Sequence, residues 1–247
     1  MANRKTPLVT GEYYHIFGRG VEKRDIFVDD DDVSRFLQGL ILFNSTERIG
    51  SIHEAQWTKK SRNVHKDEQP EPVSKLVDVV AYNLLPNHYH LLLRQCVDRG
   101  ISTFMQCHVG GYTKHFNQRH DRVGSLFQST FRSEYISSDA QLRYVSAYVN
   151  FNHLVHNINP RTSNPSGWGS RSSWEEWTHV LSGHEFESPS IVSGIEVVTS
   201  QYGTPMSYYK EATSLARMIR KVRTARNEGD REEVQDILDE LGSLTSK

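Results

Sequence analysis

Two runs near the middle of the chain alternate apolar side chains with a period of two. In "VDVVAYNLL" (77–85), Val80, Tyr82 and Leu84 fall on one face, and the next run spans His88 to Gln95. Their β-branched and aromatic content predicts strands, and the short "PNH" between them predicts a turn, hence an antiparallel hairpin. "EYYHIFGRG" (12–20) and "FRSEYI" (131–136) read as further short strands. Elsewhere the period is helical. Val33, Phe36, Leu37 and Leu40 follow i, i+3, i+4, i+7 behind a run of aspartates suited to a helix N-terminus. Ile101, Phe104, Met105, His108, Val109, Tyr112 and Phe116 form a longer stripe that passes through Gly110 and Gly111. "DAQLRYVSAYVNFNHLV" (139–155) predicts one continuous helix beginning at an aspartate.

The order strand, helix, strand, strand, helix, strand, helix predicts an α+β fold. It is a ferredoxin-like antiparallel sheet with helices packed on it. This domain is expected over residues 1–159, with a C-terminal, mostly helical extension over 160–247. The extension begins with polar "NPRTSNPSGWGSRSSWEEW", read as a wrapping segment. A helix follows from about Met206, its apolar side Leu215, Met218, Ile219 and Val222 ringed by Arg217, Arg220, Lys221, Arg223 and Arg226. "REEVQDILDELGSL" reads as an acidic amphipathic helix. The polar stretch 46–75, containing "KKSRNVHKDEQPEP", reads as an exposed loop or insertion.

Composition narrows the classes. No run of about 18 apolar residues appears, so no membrane span is expected. "MANRKTPLVTGEYYH" lacks the apolar core of a signal peptide. Cys96 and Cys107 lack CxxC spacing and are expected as buried, inert thiols in a reducing cytoplasm. The net charge is −1, so a nucleic-acid partner would require positive charge concentrated in one place.

The candidate chemistry begins at "LLPNHYHLLLRQ". Residues i and i+2 of a strand share a face, so His88 and His90 project side by side and could grip one metal ion. The pattern equally fits one solvated histidine and one bonded to backbone. Tyr144, Tyr148 and Asn152, spaced i, i+4, i+8, would share one face of the last helix. An asparagine oxygen with two imidazole nitrogens suits Mg²⁺ or Mn²⁺ better than a thiolate-seeking metal, and the tyrosine one turn earlier would present a phenol beside it. Ordinary core packing is the other reading of these tyrosines.

Four blocks, in order, carry a resemblance: "YYHIFGRGVEKRDIFVDDDD", "AYNLLPNHYHLLL", "GYTKHFNQRHDRVGSLFQSTFRSEYI" and "LRYVSAYVNFN". Together they cover most of residues 12 to 155 and resemble the REP-associated tyrosine transposases, single-tyrosine HUH endonucleases related to small insertion-sequence transposases. The resemblance implies an HUH endonuclease fold, with His88, His90 and Asn152 as ligands of a divalent metal, Mg²⁺ or Mn²⁺, and Tyr148 as the nucleophile. Tyr144 is the neighbouring alternative, without a polar residue four positions later; Tyr112 sits in an apolar stripe and is read as core. The chain departs from the family pattern in four ways: His153 stands where proline often follows the ligand asparagine, the stretch around "KKSRNVHKDEQPEP" is longer, the C-terminal acidic helix has no assigned counterpart, and the overall charge is less basic.

The activity implied is cleavage and joining of single-stranded DNA at hairpin-forming repeats through a 5′-phosphotyrosine intermediate. Lys114, Arg119, Arg122 and Arg132, around Phe116, Phe127 and Phe131, are the expected DNA contacts, with Arg19 in the turn after the first strand. The partner would be single-stranded or hairpin DNA, the assembly a monomer or homodimer, and the location the cytoplasm, associated with the nucleoid. A domesticated hairpin-binding protein of the same fold, without cleavage, is the main alternative. A ferredoxin-like RNA-binding domain would call for an RNP-like aromatic block, which is not seen. A metallohydrolase using water would not need Tyr148.

Overall fold

The computed structural model describes residues 7–47, 74–158, 169–182 and 190–228. Most of the predicted 46–75 insertion and the predicted acidic helix lie outside the described residues. In chain order the elements are β1 (Tyr13–Arg19), α1 (Asp30–Leu42), β2 (Val77–Leu85), β3 (His88–Gln95), α2 (Gly100–Arg119), β4 (Arg132–Ile136) and α3 (Asp139–Asn150). These are followed by α4 (Asn152–Val155), β5 (Arg171–Ser172), α5 (Trp174–Leu181), α6 (Glu196–Thr199) and α7 (Pro205–Glu228). The strands form one sheet in the order β4-β1-β3-β2-β5, every neighbouring pair antiparallel. The fold is α+β, the order 4-1-3-2 being the ferredoxin-like arrangement, with a two-residue strand added at the β2 edge and a helical C-terminal part.

Alternation along the central strand β3 divides the molecule into layers. Tyr89 meets Phe36 of α1 at 5.3 Å between ring centroids, whereas His90 meets Tyr148 of α3 at 5.3 Å. Adjacent residues of a strand point to opposite faces, so α1 and α2 cover one side and α3 the other. Gly18 pairs with Tyr89 across β1–β3, and a Cβ there would lie 2.6 Å from the Tyr89 hydroxyl. The glycine is what lets the tyrosine ring lie flat across β1.

The aspartate run starts α1 as its composition predicts. Asp29 is the N-cap and accepts from the backbone N–H groups of Asp31 and Asp32. Arg119, at the far end of α2, closes onto this turn through Asp29 at 2.8 Å and the fully buried Asp32 at 2.9 Å. The two helices approach closely at Gly39, where a Cβ would meet His108, and at Gly111, where it would meet Phe43. This contact accounts for Gly111 of the glycine pair in the helical stripe, whereas a Cβ at Gly110 would meet nothing within 4 Å.

Three expectations need correction. The helix predicted over 139–155 is two helices, with Phe151 between them at φ −114°, ψ 24°. The carbonyl of Asn150 is taken by the side-chain amide of Asn83 in β2, which diverts it from the helical ladder. The predicted wrapping segment contains β5 and α5; Trp177 of α5 is fully buried and donates its indole N–H to the Val80 carbonyl at 2.9 Å. Cys107 is exposed, on the outer side of α2, and Cys96 is half-buried. Burial pushes the Cys96 thiol up to about 11, which keeps it protonated and unreactive.

The extension shares one hydrophobic core with the sheet domain among the described residues, through Trp177, Tyr208, Leu215 and Ile219. No described helix is long and apolar enough to cross a membrane.

His108 predicts an acid-sensitive core. It is buried between Phe36 and Phe104 with no hydrogen-bond partner on either ring nitrogen. Burial, reinforced by the charge of Arg35, pushes its pKa down to about 3. Between that value and about 6.5 the unfolded chain binds the extra proton, so stability is lost as pH falls below 6.5. This one site should cost about 2 kcal/mol between pH 7 and pH 5. Guanidinium denaturation at the two pH values should show His108→Leu losing less stability than wild type by about that amount. Equal losses would mean the imidazole is not neutral in the core.

Candidate active site

His88 and His90 start β3, the middle strand of the sheet, on the face that α3 covers. Their neighbours across the sheet are fixed by register: Arg19 lies opposite His88, and Phe17 and Asn83 flank His90. The turn is pinned from the other side, because the Pro86 carbonyl accepts from both Ile26 and Phe27 N–H groups. Asn87 donates from Nδ2 to the Lys23 carbonyl, which turns its Oδ1 toward His88 Nδ1 at 2.6 Å. An amide oxygen only accepts, so Nδ1 of His88 carries the proton and Nε2 keeps its lone pair.

Tyr148 reaches this face from α3. Its ring stands edge-on to His90, at 5.3 Å between centroids, and to His15, at 5.8 Å. Asn152 opens α4 and is fully buried. Its amide is close enough to His88 to push that imidazole's pKa upward, yet neither its Oδ1 nor its Nδ2 completes a hydrogen bond of ordinary geometry. A buried amide left in this way is costly and calls for a reason, a bound ion being one. The helix break sets its position. Asn150 is held from three sides: Ser173 Oγ donates to its Oδ1 at 2.6 Å, its Nδ2 donates to the Tyr208 hydroxyl at 3.0 Å, and its carbonyl accepts from Asn83.

The imidazoles are held neutral. Burial is the largest cause pushing His88 down to about 3, and the charges of His156 and Arg19 act in the same direction. Burial, then His15 and His88, push His90 well below the ordinary value. Neutral imidazoles are the ligand-competent form. Among the described residues no group of three or more histidine, cysteine, aspartate or glutamate side chains could hold a metal ion. The polar group that lies beside His88 is instead the Asn152 amide.

His88, His90 and Tyr148 line a cleft of about 520 Å³, and Asn152 lies buried outside that lining. Tyr148 lines it and Tyr144 does not; Tyr144 faces a second groove between α3 and α7. Tyr112 is buried and donates its hydroxyl to the Ile26 carbonyl, a core role. Arg19 and Arg132 line the cleft, as do Lys23 and Arg223, and no described lining residue is acidic. Lys114, Arg119 and Arg122 do not line it. Arg119 is committed to the α1 carboxylates, and Arg122 lies over the Phe116 ring at 5.9 Å and bonds Asn117.

His15, Glu134, His156 and Lys23 were not singled out as site residues in the sequence. His15 bonds His90, Nε2 to Nδ1, at 2.8 Å, and Glu134 stands 3.7 Å from the other nitrogen of His15. His156 packs on His88 at 4.8 Å and accepts from Arg223 of α7 at 3.0 Å. The i, i+4 step from Asn152 to His156 was a signal available in the sequence for His156, and the strand alternation of Tyr13, His15 and Phe17 for His15.

Residues 46–152 match the family described as IS200-like transposases, a span of less than half the chain. Over that span the chain is similar to IS200-like transposases, in line with the resemblance carried by its sequence blocks. Among solved structures the chain is similar to a REP-associated tyrosine transposase bound to a REP hairpin, with 15% identity and a TM-score of 0.44 over 78% of this chain and 92% of that one. No curated protein matches the sequence.

The anchoring of the helix break can be measured. Asn150→Ala removes two side-chain bonds and leaves Ser173 and Tyr208 with fewer buried partners, at a cost of about 1–3 kcal/mol. Urea denaturation should show that loss. An unchanged midpoint would mean that the network does not hold the junction.

Proposed function

We propose that the protein is a metal-dependent single-stranded DNA endonuclease and strand transferase that acts on hairpin-forming repeats through Tyr148. The observation that carries this reading is the meeting of three elements at one point: the Tyr148 phenol from α3, the neutral His88 and His90 from β3, and the unpartnered Asn152 amide from α4. The hairpin target and the polarity of the linkage rest on the sequence resemblance.

The donor set fits a hard divalent cation. His88 offers Nε2, His90 offers the ring nitrogen not bonded to His15, and Asn152 offers a buried oxygen with no other partner. When bound there, Mg²⁺ or Mn²⁺ would supply charge to offset that developing on the scissile phosphate. The protein's own groups do the rest. Arg19, Lys23, Arg132 and Arg223 draw the strand into the cleft and hold its phosphates. The Tyr148 oxygen attacks phosphorus, forming an O–P bond as the bond from phosphorus to the 3′-oxygen breaks. The phenol gives up its proton and the departing 3′-oxygen gains one. The product is a 5′-phosphotyrosine with a free 3′-hydroxyl, and attack by a second 3′-hydroxyl reverses the linkage and joins strands without ATP.

The domesticated hairpin binder of the same fold would keep the cationic cleft and form no covalent link. The expected result with labelled hairpin DNA and Mn²⁺ is a protein–DNA adduct that survives denaturation. It should be absent in Tyr148→Phe, absent on chelation, and retained in Tyr144→Phe. Binding without adduct would favour the domesticated form, and cleavage that survives Tyr148→Phe would favour water as the nucleophile. Arg223→Ala and Arg132→Ala should each lower the salt slope of single-strand binding by about 0.7, whereas Lys114→Ala should leave it unchanged.

A further inference from the structure

The site contains a chain of three side chains, two of which the proposed chemistry does not use directly. Glu134 of β4, His15 of β1 and His90 of β3 run side by side across three neighbouring strands. Register sets the order: Glu134 lies opposite His15, and both share the face of His90 because paired residues of antiparallel strands point the same way. His15 is buried at 6% exposure, with its ring nearly parallel to that of His90, 18° between planes. The Nε2 of one ring and Nδ1 of the other are 2.8 Å apart. The Glu134 carboxylate stands 3.7 Å from the opposite nitrogen of His15.

The direction of this chain follows from what each group can do. A carboxylate accepts only, so it favours the form of His15 that carries its proton on Nδ1. A neutral imidazole has one N–H, and Nε2 of His15 is then bare. A bare nitrogen 2.8 Å from His90 Nδ1 can only accept, so the proton between them belongs to His90 Nδ1. The second nitrogen of His90, Nε2, is left with its lone pair. His88 reaches the same state by a different route, because Asn87 Oδ1 holds its proton on Nδ1. Both imidazoles of the pair therefore present Nε2 as the free donor, one fixed by the hairpin turn and the other by the neighbouring strands.

From this geometry we infer that His15 and Glu134 are positioning residues that lock His90 in its Nδ1–H tautomer and fix its ring so that Nε2 is offered to a divalent cation. The inference deepens the proposed function and rests on it for the identity of the cation; the tautomer itself is a property of the protein alone. Outer groups of this kind orient a ligand without touching the metal, and their loss typically weakens metal binding about 10–100-fold.

The test separates the two. Nitrogen-15 imidazole spectra of the full-length protein without metal report which nitrogen of His90 carries hydrogen. Wild type should show Nδ1–H for both His88 and His90. His15→Leu should shift His90 to a mixture or to Nε2–H while leaving His88 unchanged. His15→Gln, whose amide oxygen can still accept from His90, should restore the wild-type signal. Glu134→Ala, at an exposed edge-strand position that should tolerate the change, should loosen the His90 tautomer to a lesser degree. Mn²⁺ binding, followed by the loss of the free-ion electron paramagnetic resonance signal, should weaken about 10–100-fold in His15→Leu and recover in His15→Gln. An unchanged His90 tautomer in His15→Leu, or a rescue variant no better than leucine in both measurements, would overturn the inference. A wild-type protein that holds the Nδ1–H tautomer but binds no Mn²⁺ would overturn the metal reading of the site and the cation-presenting role together, leaving only the tautomer lock.

Discussion

The side-chain alternation of β3 is the constraint on which the site depends. This strand lies between β1 and β2 at the middle of the sheet, and its odd residues Tyr89, Leu91 and Leu93 are fully buried in the core under α1 and α2. Its even residues His88 and His90 then have only the other face to occupy. A slip of one residue would send both imidazoles into the apolar layer and three large side chains toward the cleft. The core thus fixes the histidines' direction more firmly than any bond the histidines make themselves. The same logic applies to β1, where Gly18 must lack a side chain so that Tyr89 can fill the core, and where His15, Phe17 and Arg19 follow on the opposite face.

Electrostatics is local in this protein. A chain with net charge −1 has no general affinity for a polyanion. Its basic residues are sorted by neighbours. Arg119 is spent on the N-terminal carboxylates of α1, and Arg94 faces Asp78. Arg19, Lys23, Arg132 and Arg223 instead gather around one cleft with no described acidic residue lining it. The same cations help keep the imidazoles neutral: Arg19 and Arg223 both push His88 down, after burial and His156. The arrangement that would attract phosphate is therefore also one that keeps histidine lone pairs available.

Strand and helix periods made the sheet legible. The hairpin 77–95 and the α1 pattern follow directly from residue type, and the order of elements was enough to give the ferredoxin-like class. His88, His90, Tyr148 and Asn152 were identifiable as candidates because one motif and one helical spacing contain them. What was not legible depends on partners distant in sequence. The break at Phe151 arises because Asn83, sixty-seven residues earlier, takes the Asn150 carbonyl. Local propensity contains no trace of that bond. Arg119 and Arg132 look alike in the sequence, and only the fold places carboxylates beside one and the cleft beside the other. The helix α5 was hidden by its polar surroundings, although Trp174, Trp177 and Leu181 stand at helical intervals.

The break and the extension are physically one feature. A new helix begins at Asn152 after the turn at Phe151, and the Asn152 amide is buried beside His88. The groups that stabilise the turn come from beyond residue 169: Ser173 and Tyr208 hold the Asn150 side chain, and Trp174 and Tyr209 pack on the Phe151 ring. Further along α7, Arg223 bonds His156, whose ring packs at a tilt against His88. The helix that secures the position of the amide thus also reaches the imidazole it faces. On this geometry the C-terminal segment is part of the construction of the site, since removing it would leave Asn150 without its side-chain partners and the cleft without one of its cations.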